Sequence, residues 1–207
     1  MLVVSSSSRM NQAEWDAHYR SFAASTTAAD PHVEELVLRY APSNGPKRAL
    51  DLACGAGANA LWLAGQGWNV TAVDRSPAAI DLLQAEAVRR ALSVTTHIAD
   101  LELRGQFTIE SGTWDLILMS RYLQVDLFES ALLGLATGGL LIVIALLADP
   151  ALSTPQRYRV RAGELASHFR NQPGFAIVHQ REVADTPDDF SHRRAVAEIC
   201  VRRDRNP

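Results

Sequence analysis

Asp51-Leu52-Ala53-Cys54-Gly55-Ala56-Gly57-Ala58-Asn59-Ala60 is the stretch that decides the fold. It follows the strand-like Arg48-Ala49-Leu50 and opens the helix-like Ala60-Leu61-Trp62-Leu63-Ala64. A second apolar strand, Val70-Thr71-Ala72-Val73, then ends on Asp74. Strand, glycine loop and helix, with an acid closing the next strand, is the layout of a site for an adenosine-bearing cofactor. The glycines let backbone approach a ligand closely, and the acid can accept from both ribose hydroxyls.

Two cofactor classes share this layout. Gly55-Ala56-Gly57-Ala58-Asn59-Ala60 satisfies the loose G-x-G-x-x-A dinucleotide pattern, which would make the chain an NAD-dependent oxidoreductase. That pattern wants phosphate on free helix amides with no anion nearby. Asp51 puts a carboxylate just before the glycines, and the loop holds no Lys or Arg to offset it. The carboxylate suits instead the cationic amino group of S-adenosylmethionine. A tight turn using glycine for positive φ is the purely structural alternative.

On these residues the chain resembles the class I S-adenosylmethionine-dependent methyltransferases. Asp51 to Gly57 is similar to that family's first motif, and Asp74 to its ribose-binding acid. Ala99-Asp100-Leu101-Glu102 resembles its adenine-contacting acidic motif. Trp114-Asp115-Leu116-Ile117-Leu118-Met119 resembles its fourth strand, and Gly138-Gly139-Leu140-Leu141-Ile142-Val143 the turn into its fifth. The resemblance runs in order from residue 47 to 147. It implies S-adenosylmethionine as cofactor, S-adenosylhomocysteine as product, and a cofactor site of Asp51, Ala53, Gly55, Gly57, Asn59, Asp74, Arg75, Asp100, Leu101, Met119 and Ser120. A finer similarity is to the tellurite-resistance and thiopurine methyltransferase-like small-molecule group. It rests on Trp15-Asp16-Ala17-His18-Tyr19, Arg121-Tyr122-Leu123 and Tyr158-Arg159-Val160-Arg161-Ala162-Gly163-Glu164-Leu165.

Length and composition set outer bounds. The 207 residues suffice for one domain with a substantial core, expected over 11–207, after a Ser-rich disordered start at 1–10. A net charge of −3 makes the molecule a poor electrostatic match for nucleic acid. The Arg-rich end is short and interrupted by Asp204, as a solvated tail would be. Cys54 and Cys200 give neither a disulfide framework nor metal spacing, so no metal is expected and a reducing cytoplasm is the natural compartment. The start lacks a basic n-region, and the longest apolar run, 140–148, is too short to span a bilayer. The expected partner is a small-molecule methyl acceptor, with no nucleic acid or membrane, and a monomer or homodimer.

Strands are expected near 48–52, 69–73, 93–98, 114–119 and 139–147, and helices near 58–66, 77–91 and 122–136. Asp30-Pro31 and Ser76-Pro77 read as helix caps followed by proline at the first helical position. Earlier, 12–22 reads as a short helix carrying Trp15, Tyr19 and Phe22. Later, 162–169 reads as a helix, and 175–183 with 194–201 as paired strands. Strand–helix alternation implies a Rossmann-like, doubly wound α/β fold. The sheet is expected to be seven-stranded and mostly parallel, with helices on both faces and a C-terminal antiparallel hairpin.

Open parallel sheets bind ligands beyond the carboxyl ends of their strands. Asp51, Asp74, Asp100 and Met119-Ser120-Arg121 all fall at such ends. The cofactor carries an activated methyl group, so the protein mainly positions a nucleophile and excludes water. An Asn-Pro-Pro-aromatic motif is missing at Ser120-Arg121-Tyr122-Leu123, which argues against planar amide or base nitrogens as acceptors. Arg121 is the expected anchor for an anionic or polarisable acceptor, with a salt bridge as its structural alternative. Trp15, His18 and Tyr19 are expected as a lid, with His18 and Tyr19 as catalytic candidates beside Arg121. Tyr158, Arg159 and Arg161 are candidates for acceptor selection, whereas His97, His168 and His179 carry no ligand spacing. A non-catalytic S-adenosylmethionine-binding regulatory subunit stands as a further alternative.

Overall fold

Two helices, α1 (Gln12–Ser21) and α2 (Pro31–Tyr40), precede an alternating core. The core runs β1 (Arg48–Leu52), α3 (Ala58–Gly65), β2 (Asn69–Asp74), α4 (Pro77–Arg89), β3 (Val94–Ile98), β4 (Trp114–Ser120), α5 (Phe128–Gly134) and β5 (Leu135–Leu147). It closes with β6 (Arg159–Val160), α6 (Glu164–Ser167), β7 (Phe175–Val183) and β8 (Val196–Arg203). This computed structural model describes residues 10–21, 28–42, 45, 47–149, 151, 158–184 and 195–204. The Ser-rich start at 1–9, Phe22, and the segments 23–27, 152–157 and 185–194 lie outside the described residues.

The helix starts follow their capping signals. Asp30 accepts from the His32 N–H at 3.1 Å, and Pro31 takes the first position of α2. Ser76 accepts from the Ala79 N–H at 3.2 Å ahead of Pro77 in α4. Helix α3 differs: Gly57 at φ +81° leads into it with no side-chain cap. Its first amides are thus left to point into the sheet's carboxyl edge.

Strand order is β3-β2-β1-β4-β5-β8-β7, with β6 beside β5. Strands β1 to β5 run parallel, while β8 is antiparallel to both β5 and β7. The winding reverses between β1 and β4. The loops leaving those two strands part there and open a crevice at their carboxyl ends. Alternate residues divide between two faces. Leu116, Leu118, Ile142 and Ile144 pack with α2, α3 and α4; Ile117, Met119, Leu141 and Val143 pack with α5 and α6. No helix among the described residues is long and apolar enough to cross a membrane.

The seven expected strands are present, and the two-residue β6 joins them as an eighth. The helix expected over 122–136 is shorter. Arg121 turns left-handed at φ +55°, a 3₁₀ turn fills Val125–Leu127, and α5 ends at Gly134. Strand β5 accordingly starts at Leu135. Gly138, at φ +78°, lies in the irregular stretch where the register against β4 shifts. The Gly138-Gly139 pair is thus an irregularity inside β5 instead of a turn before it. The helix expected over 162–169 is reduced to the four residues of α6 after Gly163 at φ +75°.

Candidate active site

Asp51 is the floor of the crevice. It sits in β1 with 1% of its surface exposed, and its Oδ2 has no hydrogen-bond partner. Burial, then the charge of Asp74, push its carboxyl up to about 8, against the opposing pull of the Ala60 N–H of α3. An orphaned carboxylate oxygen costs folding free energy unless something fills the role of its missing donor. Asp74, at the end of β2, is also raised by burial, despite bonds that favour its charged form. Its Oδ2 accepts from the Gly55 N–H at 2.8 Å and its Oδ1 from the Ser76 N–H at 2.9 Å. Two buried acids raised together make a cradle that favours a cation and repels a pyrophosphate.

The glycine loop threads between them. Ala53, Gly55 and Gly57 all take left-handed φ, at +58°, +56° and +81°. The Cys54 N–H donates to Val73 O and the Gly57 N–H to Cys54 O, each at 3.0 Å. The tight-turn reading is therefore also correct, but the two glycines have different neighbours. A Cβ on Gly55 would lie 2.5 Å from the Tyr19 hydroxyl, whereas one on Gly57 would run into Leu83 of α4. Gly55 lies under the lid; Gly57 permits close packing of the loop on α4.

Helix α1 carries Tyr19 over the loop, where a lid is expected. Asp16 accepts from the Ser76 hydroxyl and, at 3.2 Å, from the Ala78 N–H, which ties α1 to the start of α4. Tyr19 reaches over Gly55, and burial beside Asp74 and Cys54 raises its phenol. Trp15 stacks on it with ring centroids 6.0 Å apart. His18 is exposed and packs edge-on against both rings. Tyr19 thus faces the cofactor cradle.

Arg75 and Asp100 meet across the β2 and β3 ends, Nη2 to Oδ2 at 2.8 Å, and the Asp100 Oδ1 accepts from the Glu102 N–H at 3.0 Å. The Leu101 carbonyl accepts from Gln124 Nε2 at 2.9 Å. Glu102 in turn accepts from the Tyr158 hydroxyl at 2.9 Å, and Tyr158 stacks on Tyr122. This acidic, aromatic rim would border an adenine. Asp74→Ala removes the acceptor of two loop amides as well as the expected ribose partner. Calorimetry and melting on one preparation should show S-adenosylhomocysteine affinity down by at least about tenfold, and stability down by about 1–3 kcal/mol. Wild-type affinity in a folded variant would remove Asp74 from the site.

Three of the expected site residues have structural partners around α2, α3 and the end of β4. Met119 is fully buried on the α5 face, so only its backbone borders the crevice. Asn59 is used structurally: its Oδ1 accepts from the Asp30 N–H at 2.9 Å and holds α2 against α3. Arg121 is an ion pair, with Nε on Asp30 Oδ2 at 2.7 Å and the Ser120 hydroxyl donating to the same oxygen at 3.4 Å. Its Nη2 is buried with no hydrogen-bond partner. Arg121 is thus fixed by α2, and one nitrogen is left over. Arg121→Ala strips Asp30 of its cation and should cost about 1–3 kcal/mol. Arg121→Gly should be less destabilised by about 1 kcal/mol, because glycine accepts the left-handed backbone. Equal melting temperatures for the two variants would show that φ there carries no strain.

Comparison with known proteins agrees with this geometry. A family profile described as "Methyltransferase domain" matches residues 49–138, from β1 into β5. Residues 49–138 carry a methyltransferase domain. S-adenosylmethionine is the cofactor such a domain takes, and the cradle of Asp51, Asp74 and the glycine loop fits its cationic end. Among solved structures, the chain is similar to one concerned with conversion of a disulfide bond into a thioacetal group during echinomycin biosynthesis. The two share 19% identity, with a TM-score of 0.69 over 95% of this chain and 93% of that one. It is similar also to TehB from Haemophilus influenzae, at 19% identity and a TM-score of 0.65, over 93% of this chain and 66% of that one. These likenesses concern the fold. A 56-residue segment is 43% identical to Hemagglutinin 1 of Eikenella corrodens; it spans 27% of this chain and only 19% of that protein.

Proposed function

We propose that the protein transfers the methyl group of S-adenosylmethionine to a heteroatom of a small molecule by in-line displacement. The observation that carries this is Asp51: a buried carboxyl with an orphaned oxygen, at the winding reversal, under a left-handed glycine loop. Asp51 would receive the cofactor's ammonium group, and Asp74 with Gly55 its ribose. When bound, the cofactor supplies an electrophilic methyl group. The chain's own residues supply position and dryness. Tyr19 and Trp15 cover the cradle, and Ser120 and Arg121 border the acceptor side. Holding acceptor and donor in line can contribute about 7–11 kcal/mol.

A small-molecule acceptor is supported by the echinomycin-biosynthesis setting of the similar solved structure. Sulfur, oxygen, nitrogen and metalloid acceptors all fit this reading. Two free thiols, Cys54 and Cys200, suit a reducing cytoplasm. The test is a panel of thiols, phenols, amines, tellurite and selenite, followed by S-adenosylhomocysteine release. Release with at least one is expected. Tight S-adenosylhomocysteine binding with release from none would instead make the chain a cofactor-binding regulatory subunit.

A further inference from the structure

Helix α2 brings a second set of polar groups to the same edge of the sheet. Ser120, Ile144 and Glu198 are consecutive register partners on β4, β5 and β8, so their side chains share one face. Asp51 lies on that face too, in the row Asp51, Leu118, Ile142, Cys200, two residues further from the carboxyl edge. Strand spacing puts Glu198 roughly 10 Å from Ser120. The first turn of α2 packs over this row. Asp30 reaches Ser120 and Arg121, and two residues on, His32 Nδ1 bonds Glu198 Oε1.

Glu198 can only accept. It is 1% exposed, yet His32, His179 Nε2 at 3.1 Å, and Arg181 Nε at 3.0 Å all donate to it. Burial opposes its charge, but these bonds prevail and hold its carboxyl down at about 2. Nδ1 of His32 therefore carries the proton of the neutral ring, and in that form the Nε2 lone pair is left as an acceptor. The two histidines differ in that respect. His179 uses both ring nitrogens, the second facing the Tyr40 hydroxyl at 3.3 Å, while His32 has no hydrogen bond at Nε2 among the described residues and keeps 19% of its side chain exposed. A carboxylate that fixes an imidazole tautomer and orients its other nitrogen is the arrangement of a general base. The other charges facing His32 are Asp30 on its own helix, Arg121 after β4, and Arg181 on β7 behind Glu198.

We propose that His32, positioned by Glu198, is the catalytic base of methyl transfer, and that the acceptor is therefore a protic group such as a phenol or thiol. The inference rests on the methyltransferase reading above. The acceptor X–H loses its proton to Nε2 while the X–C bond to the methyl forms and the methyl–sulfur bond breaks, its electron pair passing to sulfur. Water then takes the proton from His32. Glu198 raises the affinity of His32 for that proton, with burial and Arg121 opposing.

Thiophenol and catechol serve as probes, with S-adenosylhomocysteine release as the rate. Nitrogen NMR of the His32 ring gives its titration in the unloaded and S-adenosylhomocysteine-loaded protein. His32→Gln should bind S-adenosylhomocysteine within about threefold of wild type and lose about 10²–10⁴-fold in rate. The acid limb of the wild-type rate should coincide with the His32 titration, and Glu198→Gln should move both to lower pH together. A wild-type rate or an unchanged limb in His32→Gln overturns the proposal. So does a limb that departs from the NMR titration, or a wild type that methylates only tellurite or selenite. A wild type that binds no S-adenosylhomocysteine instead removes the methyltransferase reading itself, before any statement about the base.

Discussion

Asp51→Asn is expected to weaken S-adenosylhomocysteine binding by at least about 30-fold while leaving the fold intact. The carboxyl is buried, and one of its oxygens has no hydrogen-bond partner among the described residues. Removing one member of a buried charge pair costs about 2–5 kcal/mol, which converts to that loss or more. Stability should move the other way. The folded carboxyl is raised from 3.8 to about 8. Its contribution is therefore fully present below about pH 4 and is lost as pH rises through about 8. The Asp51→Asn variant has no such group to ionise, so its melting temperature should fall less between about pH 5 and 9. Unchanged affinity would show that Asp51 faces no cation, and a variant less stable than wild type at about pH 9 would show that the buried charge of Asp51 does not destabilise the fold.

Gly57→Val should produce the larger structural effect. A Cβ there would collide with Leu83 Cδ1 and lie 2.8 Å from its Cγ, at a φ of +81°. Overpacking costs about 1–3 kcal/mol, and a left-handed β-branched residue roughly 1–2 more. Loss of about 2–5 kcal/mol is expected in denaturant unfolding, with cofactor binding lost as a consequence. Gly57→Val combined with Leu83→Ala should recover part of the stability, since the double change returns the space. Failure of that recovery would locate the damage elsewhere than at α4.

The legible part of this protein was local in sequence. Asp51, the glycines and Asp74 span two strands and one loop, and their spacing alone gives the crevice. The proline-led helices α2 and α4 were readable for the same reason, because a cap and its helix are neighbours. The acceptor side was not. Arg121 meets Asp30 across 91 residues, and His32 meets Glu198 across 166. The second pair exists only because β8 pairs with β5 in one register, and the first because the cap of α2 lies against the end of β4; no spacing encodes either. His32 could be seen in the sequence only as an ordinary residue in a first helical turn. Gly57 shows the converse: the need for glycine was legible, but its reason, the approach of Leu83, was not.

The most direct test of the cofactor cradle is calorimetric titration of the wild-type protein with S-adenosylhomocysteine and with NAD. It is run at about pH 7 in two buffers of different ionisation enthalpy. The expected result is binding of S-adenosylhomocysteine with release of about one proton, as its ammonium group draws Asp51 from the neutral to the charged form, and no binding of NAD. Binding of NAD without S-adenosylhomocysteine, or binding of S-adenosylhomocysteine with no proton released, would contradict the assignment of Asp51 and the cofactor site built around it.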